Sequence, residues 1–232
     1  MKQYLPLVAV LVGSTSLVGA GDITGKVTLK GTPKAEVQID LGPTCGPLNP
    51  NKNVTTRHYV AGKDGGLANV FVYLKDAKTA PAAGDAPVMD QVGCMYEPYV
   101  MGVVTGQKFK VKNSDATLHN VHNTPRVTGN KEYNIGQAVK GQMNDFSFDK
   151  SEILMRFKCD VHPWMFAYVG VVEHPYFAVT DKDGNFKISG VPDGNYTVVA
   201  YHQKTHNTVS PGLSEAVEVK GSAKKDFTVT LP

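Results

Sequence analysis

Long blocks of like charge are missing from this 232-residue chain, in which 24 basic residues stand against 21 acidic ones for a formal net charge of +3. That balance gives no reason to expect nucleic acid or an anionic membrane surface as the main partner. Sustained i, i+3, i+4 hydrophobic spacing is missing too, so any helices are short. No glycine-rich phosphate loop, nucleophile elbow or Ser/His/Asp arrangement occurs, and no enzymatic activity is expected. Cysteine is scarce, at three residues. What the chain does have is enough apolar residue, 41% against 19% charged, to exclude a mainly disordered protein. Its 23 Gly, 14 Pro, 10 Tyr and 9 Phe favour many short strands joined by turns. An all-β protein is expected.

The first twenty residues read as a signal peptide. Lys2 supplies a positive charge, Leu5 to Val12 is apolar, and Val18–Gly19–Ala20 offers the small residues a signal peptidase reads. Cleavage after Ala20 makes the protein periplasmic or secreted. The stretch from Leu5 to Val18 is broken by Ser14, Thr15 and Ser16. It also falls short of the ~20 residues that span a bilayer, so no membrane span is expected after cleavage. An uncleaved anchor is the alternative. No cysteine follows the cleavage point to carry a lipid. The cysteines are accordingly read in an oxidising compartment.

Beyond Gly21, strands alternate with turn chemistry. Ile23–Leu29 is an alternating run, residues 31–66 are irregular, and Ala68–Leu74 is strongly β-prone. Residues 77–87 look like a linker. Gln107–Asn113 has a clean period of two that turns Phe109 and Val111 inward and the lysines outward. Strand signals return at 153–157 and 166–172. Phe177–Thr180 and Asn185–Ile188 flank Asp183–Gly184 and read as a hairpin, and further strands follow at 196–201, 216–219 and 226–231.

One constellation carries chemistry. Cys159, His162 and Met165 form a Cys-x₂-His-x₂-Met on a loop between two strands, and Leu118–His119–Asn120–Val121–His122 lies forty residues upstream at the end of another strand. Two imidazoles, a thiolate and a weak thioether are the ligands of a mononuclear type 1 copper site. Thiolate and thioether suit Cu(I) while imidazole tolerates Cu(II), so such a set accepts both oxidation states. It leaves no open position for a substrate, which argues for an electron carrier. In an extended strand, residues 119 and 122 point to opposite faces, so only one of them reaches the metal.

Leu118–His122 together with Cys159-x₂-His162-x₂-Met165 resembles the small blue copper proteins, the cupredoxins, with amicyanin nearest in ligand-loop spacing. The resemblance covers about residues 87–174. It implies that His119 is the upstream ligand and that Asn120 pins the two ligand-bearing stretches together by hydrogen bonding. Asn113–Ser114–Asp115 is similar to the family's strand-end segment. His162, beside Pro163 and Trp164, would be the ligand nearest the surface. The longer run Cys159–Tyr168 continuing into Pro175–Asp181 resembles bacterial chains labelled methylamine utilisation proteins, although no residue here points to methylamine. Those chains couple a cupredoxin domain to a carboxypeptidase regulatory-like (transthyretin-like) sandwich. The expectation is therefore two Greek-key β-sandwiches: a cupredoxin domain at 87–175, inserted into a second sandwich made of 22–80 and 176–232. Two tandem domains are the alternative. The function implied is single-electron transfer between redox protein partners with one copper ion. Copper capture and delivery, or a scaffold role for the second sandwich, are the competing readings.

Other features admit plainer readings. Zinc would find one thiolate and two imidazoles but no good fourth donor, since thioether is a poor zinc ligand. Cys45 and Cys94 are left over, and in an oxidising compartment they can pair. Unpaired, Cys94 with Met95 could make a second soft-metal site. Asp181–Asn185 has a calcium-loop look but lacks the further acidic ligands of an EF-hand, so a turn is the better reading. Asn53–Val54–Thr55 matches a glycosylation triplet by chance. His58, His174, His202 and His206 have no motif around them.

Overall fold

The computed structural model describes residues 19–82, 84–205 and 212–231. The expected signal peptide lies outside them except for Gly19 and Ala20, as does His206. Among the described residues the chain is all-β: seventeen strands, with one four-residue helical turn at Gly42–Cys45. No helix among them is long and apolar enough to cross a membrane.

The strands form four sheets. One has five strands in the order Val100–Val104, Phe166–Val172, Glu152–Lys158, His119–Thr124 and Asn134–Gln137. A second runs Met95–Glu97, Val88–Val92, Phe109–Asn113 and Met143–Phe146. Phe109 and Val111 are fully buried, as the alternation of their strand requires. They join Met89, Tyr96, Val121, Phe146, Phe157 and Val169 in one continuous core between these two sheets.

The other two sheets are built from strands outside that stretch of chain. Ala20–Lys30 pairs with Asn185–Pro192 on one side and with Ala223–Lys224 and Phe227–Thr230 in parallel on the other. Phe71–Leu74 lies between Phe177–Val179 and Gly194–Tyr201, which in turn pairs with Leu213–Val219. Ile23, Val27, Leu67, Val72, Ile188 and Val229 are among the residues of a second core. A third, smaller cluster of Phe71, Tyr99, Val100, Leu154, Val172 and Tyr201 draws on both groups of strands. There the Phe71 ring covers Gly102 and Gly170, which pair across neighbouring strands. Neither glycine has room for a Cβ.

Three local readings are corrected. The run expected from Ala68 becomes a strand only at Phe71, because Asn69 adopts a left-handed backbone with φ of 62°. His119 opens its strand rather than ending one. The turn at 181–185 forms, closed by bonds from the Asp181 amide to the Asn185 carbonyl and from the Gly184 amide to the Asp181 carbonyl. Its two arms do not make a hairpin, because each joins a different sheet. Buried Thr180 decides this: its hydroxyl donates to the Leu67 carbonyl and accepts from the Val70 amide, drawing its arm to the Phe71 strand.

Candidate metal centre

Strand register brings the two ligand stretches together. Lys158 pairs with His122 in the antiparallel ladder between Glu152–Lys158 and His119–Thr124. Stepping past Lys158 reaches Cys159 just where the opposite strand runs back to His119. The loop 159–165 closes on itself, with the Cys159 amide donating to the Met165 carbonyl and the Met165 amide to the His162 carbonyl. His119 and His162 meet with their Nδ1 atoms 3.0 Å apart, and Cys159 Sγ lies 3.7 Å from His162 Nδ1. The donor atoms of His119, Cys159 and His162 all fall within 4.8 Å of one another. Met165 is fully buried in the same core as Cys159. His122 points elsewhere, bridging Asp160 and Glu132 at 2.7 Å each.

The surroundings prepare these side chains for a cation. His119 Nε2 lies 2.9 Å from Asp115 Oδ2, which leaves Nδ1 facing the other donors. Burial works against the charged form of Asp115, yet the bonds from His119 and from the Cys94 and Gly93 amides prevail and hold its carboxyl below the usual range. Burial would likewise raise the Cys159 thiol, but His119 and the amides of Asn120, Val161 and His162 bring it down. Burial and the neighbouring His119 charge push His162 down, toward the neutral ring that binds metals. Burial alone would lower His119, but Asp115 and Cys159 turn the shift upward. Two ring nitrogens and a thiolate at this spacing fit copper by donor chemistry.

Asn120 is placed to lock the pair of stretches. Its Oδ1 accepts from the Asp160 amide at 2.5 Å, its Nδ2 donates to Asn134 Oδ1 at 2.7 Å and Asp160 Oδ2 at 3.2 Å, and its amide donates to Cys159 Sγ at 3.4 Å.

No family model matches the chain, and no curated protein matches it. Solved structures similar to part of it include a copper-containing nitrite reductase from Thermus scotoductus SA-01, at 21% identity over 42% of this chain and 25% of that one, with a TM-score of 0.35. A methionine-to-alanine mutant of amicyanin in its Cu(I) form is similar at 23% identity over 43% of this chain and 97% of that one, with a TM-score of 0.34. A purple cupredoxin from Nitrosopumilus maritimus is similar at 22% identity over 38% of this chain and 99% of that one, with a TM-score of 0.32. The chain thus spans a quarter of the length of the reductase.

Cys45 and Cys94 are joined in a disulfide, so the alternative of a Cys94–Met95 metal site does not arise in this form. Three contributors escaped sequence reasoning. Asp115 orients His119, a role that its place in the segment Asn113–Ser114–Asp115 did not reveal. The Tyr96 hydroxyl, kept protonated by burial, donates to the Asn120 carbonyl at 2.8 Å. Trp164 Nε1 donates to the Cys94 carbonyl at 3.1 Å, tying the ligand loop to the disulfide. The last two have no signal in the sequence, since their partners are distant in the chain. His174 serves the fold, with Nε2 2.7 Å from the Leu74 carbonyl.

Proposed function

We propose that this chain is an exported carrier of single electrons, with copper held by His119, Cys159, His162 and Met165. The observation that carries the reading is the convergence of two imidazole Nδ1 atoms and one thiol, from two distant stretches, inside a buried β core. Copper bound there would take up and give back one electron. The residues of the chain do the rest. The Asp115 bond fixes the His119 ring, the Asn120 bonds fix the loop, and the core around Cys159 and Met165 excludes water. Rigid donors change little between oxidation states, which favours rapid exchange over turnover of a substrate. His162 is 8% exposed between exposed Val161 and Pro163, against 0% for His119, so it is the ligand facing prospective redox protein partners.

The strand pairings also support a domain reading. We infer a cupredoxin domain at 87–175 inserted into a carboxypeptidase regulatory-like sandwich of 22–80 and 176–232, the latter serving to dock or stabilise. Its support is that Ala20–Lys30 pairs with strands from the C-terminal part and bridges Gly66 through Thr28, bypassing the residues between 87 and 175 among those described.

Copper titration followed by absorption and electron paramagnetic resonance tests the reading. One Cu(II) per chain with an intense thiolate-to-copper band and a narrow hyperfine splitting is expected. Loss of that band in Cys159→Ser, with the fold retained, completes the expectation. Colourless binding, or a preference for zinc over copper, overturns it.

A further inference from the structure

The Cys45–Cys94 disulfide lies directly against the candidate metal centre. Its two sulfurs and a ring nitrogen of His162 all fall within 4.8 Å of one another, and Cys94 Sγ forms a second such group with Asp115 and His119. Both cysteines are buried, at 1% and 0% exposure. A disulfide has no lone thiolate to offer a metal, so in this form the group is silent.

A hydrogen bond joins the two cysteine segments, and others anchor each of them to its surroundings, without using the sulfur–sulfur bond. Asn49 Nδ2 donates to the Gly93 carbonyl at 2.7 Å, and the Leu48 and Asn49 amides both bond the Cys45 carbonyl. The Gly93 and Cys94 amides each donate to Asp115 at 2.7 Å, and Trp164 bonds the Cys94 carbonyl. Breaking the disulfide therefore leaves two thiols in place, on α-carbons 5.7 Å apart, beside an imidazole. Two thiolates and one imidazole are a soft donor set, which selects monovalent copper.

We propose that Cys45, Cys94 and His162 form a second copper site, specific for Cu(I) and opened by reduction of the disulfide. Reduction by a dithiol transfers two electrons and two protons to the pair, giving two thiols while the reductant becomes a disulfide. Binding of Cu(I) then releases the thiol protons to solvent. Because His162 belongs to both groups, the chain has a thiol-rich site contiguous with the proposed electron-transfer centre and switched by a different redox couple. The second site does not depend on copper binding at the first.

The full mature chain carrying Cys159→Ser isolates the site. Cu(I) is offered anaerobically in competition with bathocuproine disulfonate, before and after treatment with a phosphine, which takes up oxygen from water as it reduces the disulfide. The oxidised variant is expected to leave copper with the chelator, and the reduced variant to withdraw one Cu(I) per chain with its circular dichroism unchanged. Adding His162→Ala should weaken the reduced site by more than the ~10–100-fold that loss of an outer-shell partner costs. The proposal is overturned if the reduced variant takes no copper or unfolds, or if His162→Ala leaves its affinity unchanged. A wild-type protein that fails to turn blue would sink the electron-carrier reading and leave this result untouched.

Discussion

Replacing Asn120 by alanine isolates the device that joins the two ligand stretches. The side chain makes three hydrogen bonds, to the Asp160 amide, Asn134 Oδ1 and Asp160 Oδ2, and is itself 8% exposed. Each such bond contributes a net ~0.5–1.5 kcal/mol. The Asp160 side chain is 39% exposed, so water can replace part of what is lost on that side. The part-buried Asp160 amide bond, the shortest of the three, is the largest single loss, and a total near ~2 kcal/mol follows. For a chain of this length that corresponds to a melting temperature lower by roughly 4–8 °C. Thermal unfolding followed by circular dichroism measures it, together with copper affinity, which should fall about tenfold or more as the loop loosens. Asn134→Ala removes one of the three bonds together with its own exposed bonds to Asp160 Oδ2 and His122 Nδ1, but keeps the Asp160 amide bond, so it should lower copper affinity less than Asn120→Ala does. A loss below about 0.5 kcal/mol for Asn120→Ala would refute the view that this side chain locks the centre.

Other perturbations probe different links. The disulfide closes a loop with a sequence separation of 49, worth up to ~4 kcal/mol by chain entropy, so the Cys45→Ser/Cys94→Ser double variant should melt lower yet stay folded at 25 °C. An unchanged melting point would contradict this. Gly170→Ala forces a Cβ to within 2.5 Å of the Phe71 ring and should cost ~1–3 kcal/mol in denaturant titration, with Phe71→Leu recovering part of it. Full additivity of the two would show that they do not touch. Burial opposes ionisation of Glu36, but bonds from Thr56 and from the His58 and Tyr59 amides hold its carboxyl below the usual value. A depressed folded-state value means that its contribution is present above about pH 4.3 and is lost as pH falls through the folded value. Protection of the amides in residues 36–59, taken relative to the intrinsic exchange rate at each pH, should therefore fall in acid, and Glu36→Gln should abolish that fall.

Much of the strand pattern was readable because period-two alternation states which face is buried, as at Phe109 and Val111. The ligand loop was readable for a similar reason: Cys159, His162 and Met165 are close in sequence, and their residue types carry their chemistry. Partnerships across long separations were not readable. Nothing in residues 177–188 told that the arms of the turn would part, since buried Thr180 answers to Leu67 and Val70, more than a hundred residues away. Asp115 gained its role only when the Gly93 and Cys94 amides were folded against it. The sequence by itself determined the β class, the donor types and the local ligand spacing, because these follow from side-chain chemistry and backbone period. Only the tertiary structure decided that Lys158 pairs with His122, and so that His119 meets Cys159 and His162, and that a disulfide rests against the same imidazole. Register and proximity of this kind are set by the packing of the whole core, which no short stretch of chain encodes.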